Sequence, residues 1–396
     1  MCLTMRISSL YKQFEGDDVK FIRKVQYKDG SSKEMWISCN KEMAIYYNEE
    51  RADSYLVSLL IPAMIRNESI EIDSPISESL YFNLTKYLIP FLVTINSNLH
   101  IIEIICNTIP DYCEESSRDV GTGISCGVDS LSTILYHIDN KNSDSYNISC
   151  LTLFNSGYYG KGDNAQSNFE QYKDRSIRFC KEHNFEFITI NSNYYDFRET
   201  SFLSSHTYLT CSIVMSFQKK FSIYYYSSGY PVYDFKPEFD DPAYYDVFLL
   251  QTFSTKAIRF ISSCSCMSRV DKVKTILNNQ SFYKYLYVCT SGKITENCGK
   301  CEKCIRTMLE ADSVGFLNSL SKAFNLSHFQ KYRHLYIGYA LRQKKKNVFY
   351  KEIIDSYREN STVGLMTYLL YFIPSPLDLK RLKSSVNKII RKITRK

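Results

Sequence analysis

Gly121-Thr122-Gly123-Ile124-Ser125-Cys126-Gly127-Val128-Asp129-Ser130 is the stretch whose reading decides the fold. A strand candidate, Val120 to Ile124, runs into it, and a helix candidate, Val128 to Asp139, leaves it. Strand-like segments recur at Ile148 to Phe154, Phe185 to Ile190 and Ile223 to Tyr226. Helix candidates Asn168 to His183 and Ser205 to Phe217 lie between them. This alternation predicts an α/β fold built on a doubly wound parallel sheet. In such sheets ligands bind outside the carboxyl ends of the strands. A helix that begins there offers unpaired N–H groups and the positive end of its dipole, and both suit phosphate. Ser125, Cys126, Gly127, Val128, Asp129 and Ser130 are therefore the candidate nucleotide-binding residues. Small side chains here let backbone and hydroxyls approach an anion closely. Asp129 cannot attract phosphate by charge, so its expected role is to cap the helix or to hold Mg²⁺. No Gly-Lys-Ser/Thr follows, so this is not a Walker loop, and the glycine spacing is not the dinucleotide fingerprint.

Outward from the loop, residues 116–312 form the expected nucleotide domain, 1–115 an N-terminal α+β module, and 313–396 a helical C-terminal region. Val19 to Tyr27 and Lys33 to Ser38 flank Asp29-Gly30, a hairpin turn signal. Ala52 to Ile65 and Glu78 to Thr94 have helical apolar spacing, and Leu99 to Cys106 reads as a strand. The acidic stretch Asp111 to Asp119 reads as a linker. Leu365 to Ile373 is the longest apolar run, too short to span a bilayer, and is expected as a buried helix. The start, Met1-Cys2-Leu3-Thr4-Met5-Arg6, lacks the basic-then-apolar pattern of a secretory leader, so a cytoplasmic protein is expected.

The second chemical signal is sulfur. Cys289, Cys298, Cys301 and Cys304 are spaced C-x8-C-x2-C-x2-C, while the other ten of the 14 cysteines show no pattern. Closely spaced thiols around Gly299 can converge on one tetrahedral ion. Four sulfur ligands leave no position for a catalytic water, so the expected ion is a structural Zn²⁺; an iron–sulfur cluster is the rival. Lys293, Lys300 and Lys303 would offset the charge of four thiolates. The cations Lys256, Arg259, Arg269 and Lys272 are candidates to contact phosphate or a substrate carboxylate. Ser227-Ser228-Gly229 and Phe154-Asn155-Ser156-Gly157 read equally as site-lining segments or as plain turns.

Together the two motifs bear a resemblance to a known family. Ser125, Gly127, Asp129 and Ser130 match the Ser-Gly-Gly-x-Asp-Ser pyrophosphate loop (PP-loop) of the N-type ATP pyrophosphatases; Cys126 stands where that family has a glycine. A cysteine there is expected to exclude strongly positive φ and so to alter the cradle slightly. With Cys298-Gly-Lys-Cys301-Glu-Lys-Cys304-Ile-Arg306 about 160 residues later, the chain resembles 7-cyano-7-deazaguanine synthase (QueC-like) proteins over roughly Asp119 to Ala311. The resemblance implies a Rossmann-like PP-loop domain that takes ATP and Mg²⁺ and carries a structural zinc. It implies adenylation of a small-molecule carboxylate or amide with release of pyrophosphate, then attack by ammonia or an amine, in deazapurine, polysaccharide, natural-product or antiphage chemistry. The alternatives are an RNA-modifying enzyme that thiolates or amidates, and a non-catalytic nucleotide-binding protein with a degenerate loop.

Charge marks the C-terminal end. Lys380 to Lys396 hold eight Lys or Arg and no acid; taking these from the 49 basic residues leaves 41 against 42 acidic ones. The body is near neutral, so the overall +7 does not argue for nucleic-acid binding by the body. Leu379, Leu382, Val386, Ile389, Ile390 and Ile393 recur at helical spacing among the basic residues. Such a tail packs on its own body, or meets a partner protein, an anionic membrane or nucleic acid. A small-molecule substrate and a homodimer complete the expected partners.

Overall fold

A computed structural model describes residues 4–111, 119–139, 143–159, 163–290, 296–360 and 370–393. The expected linker falls mostly outside these residues, as do Lys293 and most of Leu365 to Ile373. The part of that run that is described is a short 3₁₀ turn, Leu370–Phe372, in which Tyr371 and Phe372 are exposed; it is not a buried helix there. The chain divides into two compact units: Met1–Ile124 with Tyr136–Ser265, and Ser125–Leu135 with Cys266–Lys396.

The first unit is α/β, with a large mixed, mostly parallel sheet. Its strands are β1 (Thr4–Ile7), β2 (Tyr11–Glu15), β3 (Asp18–Gln26), β4 (Ser32–Asn40), β5 (Ser69–Ile72), β6 (Ile76–Ser77), β7 (Ile104–Ile105), β8 (Thr108–Ile109), β9 (Asp119–Gly123), β10 (Cys150–Asn155), β11 (Glu186–Ser192), β12 (Phe221–Ser227) and β13 (Arg259–Ser263). The order is β13-β12-β9-β10-β11-β4-β3-β1-β5-β7; β2 pairs with β3, and β6 with β8 forms a separate ribbon. β9 to β13 are all parallel, in the order of a Rossmann-like sheet. β10 and β11 lie to one side of β9, β12 and β13 to the other, so the strand order reverses beside β9. Five of the six residues of β10 are buried, as expected of a strand covered on both faces.

The sheet does not stop at the expected boundary after residue 115. β11 pairs antiparallel with β4, through Asn191 with Ser38 and Ser192 with Ile37, and so joins the N-terminal strands to the same sheet. The helix Asp53–Arg66 contributes Ser54, whose hydroxyl bonds the Tyr194 hydroxyl at 2.7 Å and accepts from Ser216 at 2.7 Å. Such buried hydroxyl pairs show what some of the abundant tyrosines do: the ring fills core volume and the oxygen bonds a neighbour. The hairpin and the two N-terminal helices lie where periodicity put them, though Glu78 to Ile95 passes through a π-helical turn at Leu84–Leu88. Only Ile104–Ile105 of the expected Leu99 to Cys106 strand is paired. β13 has no strong sequence signal; its five residues, Arg-Phe-Ile-Ser-Ser, form a strand by pairing with β12.

The second unit is helical: the part of the helix Val128–Asp139 up to Leu135, then Arg269–Leu277, Gln280–Tyr283, Glu302–Ser313, Ser327–Gln343, Val348–Glu359 and Pro376–Ile393. Ser268 caps the second of these in a capping box with Asp271, which fixes where that helix begins.

Candidate functional site

The loop and the cysteines both belong to the second unit. Ser130 lies in the first turn of the helix that starts at Val128, and its hydroxyl donates to the Gly127 carbonyl at 3.2 Å. It also meets the Ser125 hydroxyl at 3.2 Å and accepts the Ser125 N–H at 3.4 Å, while the Gly127 N–H reaches the Ser125 hydroxyl at 3.3 Å. These long bonds hold a serine-lined turn at a helix N-terminus. Cys126 departs from expectation. Its φ is +56°, in the left-handed region, and its side chain is buried. The backbone thus keeps a glycine-like conformation, at a cost of roughly 1–2 kcal/mol for a residue with a Cβ. The expectation that a cysteine excludes positive φ is corrected: the buried thiol and a hydrogen bond from the Tyr287 N–H to the Cys126 carbonyl, 2.8 Å, hold it there.

The surroundings of Asp129 come from far along the chain. The cap at Ser268 sets Arg269 and Lys272 three residues apart on one helix face. Arg269 Nη1 donates to Asp129 Oδ2 at 2.5 Å and Lys272 Nζ to Oδ1 at 3.4 Å. Both cations are almost fully buried, and the Asp129 side chain is 30% exposed. Burial pushes the Asp129 carboxyl up, but Arg269, Lys272 and the more distant Arg306 outweigh it and hold it below the ordinary aspartate range. Glu310, fully buried, lies 3.8 Å from Arg269 Nε and 3.5 Å from Arg306 Nε. These separations suit ion pairs, and none of the three atoms makes a hydrogen bond. Burial raises the Glu310 carboxyl against the pull of Arg269 and Arg306.

This geometry tests the expected magnesium role. Both Asp129 oxygens are taken by protein cations, so the carboxylate does not fit as a free Mg²⁺ ligand in this arrangement. Of the four candidate cations, Arg269 and Lys272 are brought to the loop. Lys256 and Arg259 belong to the first unit, where the Lys256 N–H bonds Asp111 and Arg259 opens β13. Sequence reading missed Glu310 as the buried partner of these arginines; its four-residue spacing from Arg306 on one helix was the available signal.

Cys289, Cys298, Cys301 and Cys304 converge, with all four sulfurs within 4.8 Å of one another. Sγ of Cys301 is 3.4 Å from that of Cys304 and 4.0 Å from that of Cys289; Cys298 and Cys304 are 4.0 Å apart. Four thiolates on one tetrahedral ion, each about 2.3 Å from it, are about 3.8 Å apart. The donor set therefore fits a single metal ion such as zinc, and it is tighter than the bulk of a cubane cluster needs. Backbone N–H groups of Cys301 and Lys300 point at Cys298 Sγ, 3.2 and 3.4 Å away, and that of Cys298 at Cys289 Sγ, 3.5 Å away. Gly299 makes this turn with φ +64°, and a Cβ there would stand 3.0 Å from the Asn325 carbonyl. Asn297 locks the approach: it accepts the Val288 N–H and donates to the Leu286 and Ala323 carbonyls. Cys301 stands at the N-cap position of the helix Glu302–Ser313, whose dipole favours thiolates at its start. Hydrogen bonding from Cys304 lowers the Cys301 thiol, and that same bond raises Cys304.

The remaining candidate segments make local contacts. Asn155 bonds Asn191, and Gly157 makes a turn with φ +94° where a Cβ would strike the Tyr195 ring. The Ser228 hydroxyl donates to the Tyr230 carbonyl. His137 and His206, pushed down to about 4 by burial, bond Ser263 and Tyr226. A second acidic grouping, Asp119, Cys150 and Glu186, is bridged by Lys220, whose Nζ lies 2.7 and 3.0 Å from the two carboxylates. No helix among the described residues is long and apolar enough to cross a membrane. No protein-family model, curated protein or solved structure matches the chain.

Proposed function

We propose that the protein is an ATP pyrophosphatase-type ligase that adenylates a small-molecule carboxylate or amide, with zinc on the four cysteines as its structural staple. One observation carries the reading: a serine-lined turn with a glycine-like backbone at Cys126 begins a helix beside the buried cations Arg269 and Lys272. N–H groups at the helix start and two cations are what a departing diphosphate needs, because phosphoryl chemistry is mostly positioning and charge neutralisation. The substrate oxygen attacks the α-phosphorus, the bond to the β-phosphate oxygen breaks, and pyrophosphate leaves. Ammonia or an amine then attacks the activated carbon, and AMP leaves. Asp129, bonded to Arg269 and Lys272, would not be the residue that holds magnesium.

The zinc supplies no chemistry in this reading. It would hold Tyr287, whose N–H fixes Cys126, and the start of the helix that carries Arg306 and Glu310. The test is release of AMP and pyrophosphate from ATP with a panel of carboxylic acids and ammonia. Turnover with one acid supports the ligase; ATP binding with no AMP from any acid or amine overturns it. The paired state of Asp129 favours a second reading, a nucleotide-binding protein without turnover, which that second outcome would support.

A further inference from the structure

The helix Pro376–Ile393 has no part in the proposed chemistry, and Leu377, Asp378 and Arg381 attach it to its unit. Leu377 is buried, and Asp378 Oδ2 accepts from Arg342 at 2.5 Å and from the Ser375 N–H at 2.7 Å. Arg381 Nη2 donates to Glu302 Oε1 at 2.8 Å, and its guanidinium lies over the Tyr339 ring. At 3.6 residues per turn Leu377 and Arg381 share a face. Leu379 and Leu382 lie roughly 200° and 140° round the helix from Leu377, and Leu382 is about 40° from Asp378. They are 57% and 65% exposed. Phe372, on the turn just before the helix, is 84% exposed. Lys380 and Lys383 are exposed beside the leucines, and from Leu379 to Lys396 the sequence has eight basic residues and no acid. The leucine spacing continues in the sequence at positions 386, 389, 390 and 393.

We propose that this helix docks the protein on an anionic lipid surface. Phe372, Leu379 and Leu382 enter the boundary between headgroups and acyl chains, while the basic residues lie among the lipid phosphates. Two observations select lipid over nucleic acid. Exposed apolar side chains gain nothing against a phosphate backbone, whereas a bilayer interface takes apolar and basic groups together. The helix is also already anchored, because Arg342 holds Asp378 and Glu302 holds Arg381.

The full chain is sedimented with vesicles of phosphatidylcholine alone and with vesicles carrying about one-third phosphatidylserine, over a range of salt. Binding at least tenfold tighter to the anionic vesicles, weakening as salt rises, is the expected result. L379E/L382E should lower that binding at least tenfold, and K380Q/K383Q should lower it and flatten the salt dependence. Both pairs are exposed, so an unchanged melting temperature shows that the fold is retained. The proposal is overturned by no binding, by equal binding to neutral vesicles, by full binding of L379E/L382E, or by a stronger preference for duplex RNA or DNA that the leucine variant keeps.

Discussion

The cysteine cluster and the serine loop lie in one unit and are tied by the Tyr287–Cys126 hydrogen bond, yet they are built on opposite plans. The cysteine site draws every ligand from Cys289 to Cys304, and its own backbone N–H groups and Asn297 complete it. The loop draws only its turn from local sequence. Its charge environment comes from Arg269, Lys272, Arg306 and Glu310, well over a hundred residues away. A metal site is defined by a few donor atoms at bonding distance. An anion site is defined by a field, and any segment can supply that field.

The largest break in this comparison comes from taking the metal away. The protein as purified should carry about one zinc per chain by elemental analysis. C301S/C304S should lose it, along with binding free energy on the order of 10 kcal/mol, and should melt at a much lower temperature. An unchanged melt would mean that the cysteines staple nothing. Because Tyr287 and the helix from Glu302 lean on the cluster, chelation should also weaken pyrophosphate binding in calorimetry.

Arg269→Ala attacks the other plan. It strips Asp129 of its closest partner and leaves buried Glu310 with Arg306 alone, so a loss of about 3–5 kcal/mol is expected in urea unfolding. Pyrophosphate affinity should fall at least tenfold. Arg269→Lys should recover only part of either loss, since an ammonium lacks the fork by which Nη1 meets Asp129 while Nε faces Glu310.

Asp129 gives a finer test through pH. Its folded carboxyl is held below the usual range, so its stabilising contribution is present above the unfolded value, near 4, and is lost as pH falls through the lower folded value. Wild-type protein should show that acid loss in unfolding experiments, and Asp129→Asn should lack this component while being less stable near neutrality. A D129N profile that parallels wild type would show that the pair with Arg269 contributes nothing. The smallest effect is expected from Cys126→Gly. Relief of the left-handed backbone, about 1 kcal/mol, offsets the lost thiol packing, so stability should change by no more than about 1 kcal/mol. Pyrophosphate affinity should stay within about twofold; a larger change would mean that the thiol itself shapes the turn.

Much of this was legible in the amino-acid order. Alternating apolar runs marked β9 to β12 and the helices between them, because strand and helix periodicities are properties of neighbours in sequence. Glycine and cysteine spacing marked the turn at Cys298–Cys301 for the same reason. Sequence alone determined the local elements, the thiol set and the basic amphipathic character of the tail. Tertiary structure alone decided that β4 joins β11 in one sheet, that Cys126 keeps a glycine-like φ, and that Arg269 and Lys272 reach Asp129. It also decided that Leu379 and Leu382 stay exposed. Each of these depends on which distant segments share a surface, and hydrogen-bond register, buried charge and packing settle that only once the chain is folded.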